Sequence, residues 1–381
     1  MAADTPRTPY LTPHTPDVVV IGGGVIGCSI AYHLSLGGVR VVVLERQALA
    51  AGASGVAAGM LAAQVEAPFA HPFFDLTIKG RAEHGPLAEQ LLEDVGLDVE
   101  CRATGILRVA TTESERVDLQ RMLRWQTARG LRGEWIESRH LGECEPLLSG
   151  AAGRALAGGA WFPDEGQVRS PRLVQALAAA SIKRGARMLE GTWALGFETS
   201  GERVTAVRTP TGPLHAERFV LAAGVWSADF GLGLPVAPVK GQIATLRALN
   251  ETLRQVVWGG DCYLVPRVDG EVILGATQED GNYDARPTLA GIGALSEAAL
   301  ELLPWSGKLV LQNVWAGLRP AAPDRYPILG AMPGFSNLWI ATAHFRNGVL
   351  LGPLTGRLLA EHITRGTAAA ELAPFNPARF A

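Results

Sequence analysis

Apolar and polar positions change rhythm along the chain, and the changes mark its elements. VVVI and VVVL (residues 18–21 and 41–44) are apolar at every position, the pattern of strands covered on both faces. Between them GGGVIGCSIAYHLSLGG reads as a glycine turn and a helix closed by Gly37-Gly38, so a β-α-β unit opens a parallel sheet. From about Lys79 to Ser149 the text is charged and helix-like. There ESERVDLQRMLRWQTARG spaces Val117, Leu119, Met122, Leu123 and Trp125 along one helical side, which predicts a helical insertion. SPRLVQALAAASIKRG then offers Ser170 as N-cap, Pro171 in the first turn and Gly185 as the stop, and RMLEG and ERFVLAAG behind it read as strands that resume the sheet.

CYLVPRVDGEVILGAT sets two β-type runs around Asp269-Gly270, a hairpin signal that marks an antiparallel part. NLWIATAHFRNGVLLGPLTGRLLAEHI restores the order strand, loop, amphipathic helix. Sheet, helical insert, sheet, antiparallel insert and closing helix are the order of two interleaved domains, and 381 residues suffice for both. Residues 1–16, MAADTPRTPYLTPHTP, are rich in Pro and Thr, lack the apolar core of a signal peptide and read as a disordered tail.

Charge and cysteine use then remove whole classes of partner. With 34 basic and 37 acidic residues the formal charge is -3, so no global field holds the chain to nucleic acid or an anionic membrane. ALAAGASGVAAGMLAA (Ala48 to Ala63) is too weakly apolar to span a bilayer. Cys28, Cys101, Cys144 and Cys262 are scattered and form no C-x-x-C pair, and no His cluster has metal-site spacing. The expectation is a soluble cytoplasmic protein with unlinked thiols and no metal.

The chemistry begins at VIGGGVIG. Gly22, Gly24 and Gly27 form G-x-G-x-x-G between a strand and a helix, and Glu45 ends the next strand. In this pattern the first glycine allows the turn, the second admits a pyrophosphate, the third brings helix against sheet, and the helix N-terminus attracts phosphate. Glu45 is placed to hydrogen-bond an adenosine ribose and repels a 2′-phosphate, which favours FAD or NAD over NADP. GASGVAAGM (Gly52 to Met60) has the crowded small residues that let backbone approach a long ligand such as FAD, although a merely flexible loop has the same text.

GGGVIG, AAGML, FFD, AAGVWS, VKGQ, CYLVPR, WAGLRP and AHFRNGVLL occur in this order, and on them the chain from Asp17 to Arg365 resembles the FAD-dependent amino-acid oxidases of the D-amino acid oxidase group, most closely their glycine-oxidising bacterial branch. The resemblance implies an α/β fold. A Rossmann-like FAD-binding domain (17–82, 158–232 and 323–381) interleaves with a substrate domain of antiparallel sheet plus helices (83–157 and 233–322). It implies non-covalent FAD, with Val25 and Ile26 at the pyrophosphate turn, Glu45 and Arg46 at the adenosine, Ala53 and Ser54 along the phosphates and Ala194 at the adenine. Ala58, Gly59 and Met60 would run beside the flavin, with Gly224 also at the cofactor. His344, Phe345, Arg346, Asn347, Gly348, Val349 and Leu350 would wrap its pyrimidine end. It implies further that Arg319 and Tyr263 bind the substrate carboxylate, that Met60 and Ala62 border a small cavity, and that Arg346 stands at its mouth. Ala62 stands where one relative of this branch has glycine, and Ala53-Ser54 where it has two threonines, which bears on pocket size.

The residues allow plainer readings beside these. An arginine keeps its charge, so Arg319 needs an anion, and Asp324 five residues on is a candidate partner. Tyr263 can be a half-buried strand aromatic, Arg346 a loop arginine on backbone carbonyls, and His344 a scaffold histidine rather than a base. Hydride transfer to a flavin from a neutral amine asks the protein for orientation, which a planar guanidinium fork supplies. The family implies oxidation of glycine, sarcosine and small D-amino acids to imine and 2-oxo acid with O2 reduced to H2O2, a link to thiamine thiazole synthesis and a homotetramer. The alternatives are a D-amino acid or proline dehydrogenase passing electrons to a quinone, and a dinucleotide-binding protein without turnover.

Overall fold

The computed structural model describes residues 15–150, 153 and 156–381, so all but the last two residues of the expected tail lie outside it. Strand β1 (Val18–Ile21), helix α1 (Val25–Leu36) and β2 (Val41–Leu44) come first, and both strands are buried at every position. Their unbroken apolar text has a cause in the layers around them. Val18 and Val20 pack toward the helices, whereas Val19 and Ile21 pack toward a small second sheet.

Next come β3 (Met60–Leu61), α2 (Pro72–Val95), β4 (Ile106–Ala110), α3 (Glu113–Thr127), β5 (Glu134–Ile136), the short α4 (Leu141–Cys144), β6 (Gly158–Phe162) and β7 (Gly166–Gln167). After α5 (Ser170–Lys183) and β8 (Arg187–Leu189), β9 (Gly196–Ser200), β10 (Arg203–Thr209) and β11 (Gly212–His215) form the small antiparallel sheet, and β12 (Arg218–Leu221) returns to the first one. The second half holds β13 (Ala237–Arg247), β14 (Val256–Gly259), β15 (Cys262–Pro266), β16 (Glu271–Gly275), β17 (Glu279–Asp280), α6 (Leu289–Leu302), β18 (Val310–Ala321), β19 (Ile328–Ala331), β20 (Leu338–Thr342) and α7 (Gly348–Arg365).

Two sheets organise these elements. The first runs β19-β20-β12-β1-β2-β8, parallel except for β19, with α1, α5 and α7 on one face and the β9–β11 sheet on the other. The second runs β17-β13-β16-β15-β14-β4-β6-β5, with β18 paired to β13. Alternate residues of its strands face α6 (Leu264, Leu274) or the opposite side (Tyr263, Ile273), where α3 packs. This is the interleaved α/β arrangement. No helix among the described residues is long and apolar enough to cross a membrane.

Several details differ from the sequence expectation. Residues 79–149 are not a purely helical insertion, because β4 and β5 belong to the second sheet, where their partners are Gly158–Phe162 and Val256–Gly259. The same pairing moves residues 158–162 out of the parallel-sheet domain. The boundary at 82 falls inside α2, whose Leu87 and Leu91 are buried with Tyr32 of α1 and Leu173 of α5. On α3 the buried set is Leu119, Met122, Leu123 and Gln126; Val117 is 49 % exposed. Helix α5 starts at Ser170 itself with Arg169 in the N-cap position, because the Ser170 hydroxyl donates instead to the Ser54 carbonyl at 2.7 Å.

Candidate active site

A cavity of about 520 Å³ opens at the C-terminal ends of β1, β2, β12 and β20, where Ile21, Leu44, Ala222 and Thr342 line it, and runs to the face of the second sheet that carries Tyr263. Ligands in open parallel sheets bind in this crevice. The first wall is the glycine turn. A Cβ at Gly27 would overlap the Gly22 carbonyl, so only glycine lets α1 approach β1, whereas a Cβ at Gly24 would meet only the Ser54 hydroxyl at 3.1 Å. Helix α1 has no acidic residue in its first turn, and its Val25 amide donates to Ser54 Oγ at 3.0 Å. The positive end of the helix therefore faces the cavity with no acidic residue in its own first turn, which suits a pyrophosphate.

Glu45 sits at the end of β2 with its oxygens accepting from the Gly23 and Gln47 amides, both at 2.8 Å. The carboxylate is thus anchored beside the glycine turn, and each oxygen keeps a further lone pair for the ribose it was expected to bind. The Arg46 guanidinium stacks 3.9 Å from the centre of the Trp226 ring, and Ala194 and Gly224 complete this end. Opposite the turn, Ala58 and Gly59 are fixed from behind. Arg267, 6 % exposed, donates to the Ala58 carbonyl at 2.6 Å, the Val168 amide donates to Gly59 O, and a Cβ at Gly59 would overlap Val168 O. Met60 and Ala62 follow on the same wall.

At the start of α7, His344 to Val349 line the cavity, and Asn347 stands at the N-cap position without a side-chain cap. His344 is 2 % exposed, its Nε2 lies 3.2 Å from the Thr355 hydroxyl, and burial pushes its pKa down to about 3. It is a neutral, hydrogen-bonded scaffold residue at any working pH. Leu350 does not line the cavity; it is 2 % exposed in the core, and its carbonyl faces His84 Nε2 at 3.1 Å. Gly27 likewise acts through packing rather than as lining.

The inner end holds the charges. Arg319 lies on β18 opposite Val239, so its side chain extends along the strand over Gly241, and a Cβ at Gly241 would overlap the guanidinium. It donates to the Thr277 carbonyl at 3.1 Å, and among the described residues no carboxylate pairs with it. Asp324, the candidate partner, is bound to Arg379 at 2.8 Å. Burial lowers the pKa of Arg319 without discharging it. Tyr263, on β15, lies across Gly275, where a Cβ would meet its ring at 2.6 Å. Burial raises the Tyr263 pKa despite the nearby Arg319 and Arg346, so the hydroxyl stays protonated. Arg346 does have a counter-ion: its Nε is 3.2 Å from Glu66, and its guanidinium lies 5.2 Å from the centre of the Trp258 ring.

The sequence reading passed over Glu66, Trp226, Arg267 and the two glycines at 241 and 275. VKGQ and AAGVWS contain Gly241 and Trp226, but Glu66 lies in AAQVEAPF, which has no periodicity or motif to single it out. Gly241→Ala provides a direct check: the guanidinium must swing off its seat, and binding of a small carboxylate in the cavity should weaken roughly tenfold. The measurement is a dissociation constant for that carboxylate in wild type and variant, and an unchanged constant would detach Gly241 from the site.

A family model described as FAD dependent oxidoreductase (DAO) matches residues 17–362. The glycine oxidase of Geobacillus kaustophilus is 37% identical over 373 residues, which are 96% of this chain and 97% of the relative. The bifunctional protein ThiO/ThiG of Trichormus variabilis is 36% identical over 376 residues, 96% of this chain but 55% of the relative, so the chain spans about half of that protein. The crystal structure of glycine oxidase from Geobacillus kaustophilus superposes with a TM-score of 0.90 at 37% identity, covering 95% of this chain and 98% of the other.

Proposed function

Because the chain belongs to the FAD-dependent oxidoreductase family, we propose that it oxidises glycine, together with sarcosine and small D-amino acids, and passes the electrons to dioxygen. One observation carries the substrate reading. Glu66 neutralises Arg346, while Arg319 keeps a guanidinium fork for which the described residues offer no carboxylate. A half-buried fork of this kind takes both oxygens of a substrate carboxylate, and the Tyr263 hydroxyl can donate beside it. Met60 and Ala62 pack in one cluster with Tyr263 and line the same cavity, in keeping with a small substrate such as glycine.

The residues fit FAD along the whole cavity. Gly22, Gly24, Val25, Ile26, Ala53 and Ser54 would hold the pyrophosphate, Glu45, Arg46 and Ala194 the adenosine, and Ala58 to Met60 with His344 to Val349 the ring system. When bound, FAD accepts the two electrons and the hydrogen that leave the substrate α-carbon. Arg319 orients that carbon, and no side chain has to take its hydrogen as a proton. His344, neutral and held by Thr355, is not needed as a base. Water converts the released imine to glyoxylate and ammonia, so that glycine, O2 and water give glyoxylate, ammonia and H2O2. Among the described residues Cys28, Cys101, Cys144 and Cys262 are free and none of them lines the cavity, in keeping with non-covalent FAD. The ThiO/ThiG relatives support a supply of the glycine imine to thiamine thiazole synthesis, and the reading carries with it a cytoplasmic homotetramer.

The test is anaerobic titration with glycine, sarcosine, D-alanine and L-alanine while the oxidised flavin band near about 450 nm is followed. The first three should bleach it, and readmitted air should return the colour with one equivalent of peroxide. Bleaching by L-alanine but not by glycine would discard the substrate assignment, and bleaching without peroxide would favour a dehydrogenase.

A further inference from the structure

Glu66 reaches Arg346 from a turn that other parts of the fold hold by its backbone. Gln126 of α3 donates to the Gln64 and Ala67 carbonyls at 2.9 and 3.0 Å, Arg108 of β4 donates to the Val65 carbonyl at 2.7 Å, and Trp125 donates to Pro68 O at 2.9 Å. The amides on the other side of the turn have a single acceptor. Glu165, with no exposed surface, receives the Gln64 amide at 2.5 Å and the Val65 amide at 3.2 Å. It comes from the turn between β6 and β7, and β7 pairs Gln167 with Met60 of the cavity wall. Resting on the reading of the cavity as an amino-acid oxidase site, we infer that Glu165 is a positioning residue for substrate binding: its carboxylate fixes the turn that presents Glu66 to Arg346 and so leaves Arg319 as the cation for the substrate carboxylate.

The charged surroundings agree with that role. Arg81 of α2 lies 3.5 Å from Glu165 and also donates to the Gln64 side chain at 2.7 Å; Glu66 follows on the same turn; and Arg132, before β5, pairs with Asp164 next door. Burial pushes the Glu165 pKa up to about 7, against the pull of the two amides and Arg81. The charged acceptor is therefore complete above that pH and lost as pH falls through it. Because the folded-state pKa lies above the ordinary carboxylate value, protonation favours the fold, so weaker binding on acidification would not be unfolding.

The experiment uses the FAD-loaded full chain and its Glu165→Gln variant, with KM and kcat for glycine and the dissociation constant of the unreactive carboxylate glycolate, read by the flavin spectrum, from about pH 5.5 to 9. Wild type should bind several-fold more weakly below about pH 7, with a melting temperature that does not fall. E165Q should resemble the acidic wild type at every pH, with KM raised about tenfold, kcat within about twofold and the pH step gone. A folded, FAD-replete E165Q with wild-type KM and the wild-type pH step overturns the inference. Should E165Q fail to fold, the wild-type glycolate profile decides: a step near pH 7 supports it and a flat profile overturns it. If glycine leaves the wild-type flavin oxidised while glycolate still binds with the step, the substrate reading fails and the role of Glu165 stands.

Discussion

Arg319→Leu is expected to leave fold and flavin intact and to raise KM for glycine by about two orders of magnitude, roughly 3 kcal/mol. The size follows from what the guanidinium lacks. It is half-buried at the cavity wall, donates to the Thr277 carbonyl, and has no carboxylate partner among the described residues, so the substrate carboxylate completes its charge balance. Leucine removes the fork and leaves the incoming carboxylate to be desolvated without a cation. It also removes a charge that burial disfavours, so the variant should melt no lower than wild type. Steady-state kinetics, flavin content and a thermal melt check all three parts. Unchanged glycine kinetics in a flavin-replete variant would take Arg319 out of the site.

Gly27→Val should be purified largely without flavin. The added side chain would occupy the place of the Gly22 carbonyl, and backbone on both sides leaves nothing flexible to yield. Helix α1 would have to withdraw from β1, carrying its N-terminus away from the pyrophosphate site, a loss of at least about 3 kcal/mol in FAD affinity. Gly24→Ala is the control, since its new methyl meets only the Ser54 hydroxyl at 3.1 Å and should cost far less. The ratio of flavin to protein absorbance, followed by titration of apoprotein with FAD, separates the two variants. Stoichiometric FAD in Gly27→Val would show that the close approach of helix and strand does not matter.

The parts of this molecule that could be read from the sequence are those whose cause is local. The β1-α1-β2 unit declares itself because buried strands are apolar throughout and a tight turn needs glycine, and nearly every cofactor residue expected from that turn and from the family likeness lines one cavity. Residues whose reason lies far along the chain stayed silent. Glu66 is an ordinary glutamate until Arg346 is folded beside it, and Gly241 is an ordinary strand glycine until Arg319 needs the space. ILRVA at 106–110 is a strand because of Gly158–Phe162 and Val256–Gly259, which a local reading of a charged, helix-rich stretch does not see. Ser170 had the right chemistry for a cap, yet a carbonyl from the loop at Ser54 took its hydroxyl.

The strand order of the parallel sheet has a consequence for biosynthesis. β1 is flanked by β2 on one side and by β12 on the other, where Val18 pairs with Arg218, and β20 joins β12 from Phe219 opposite Leu338 to Leu221 opposite Ile340. A nascent chain therefore carries one edge of β1 unpaired over the 200 residues from Val18 to Arg218 (218 − 18), an interval in which bare strand edges invite wrong partners.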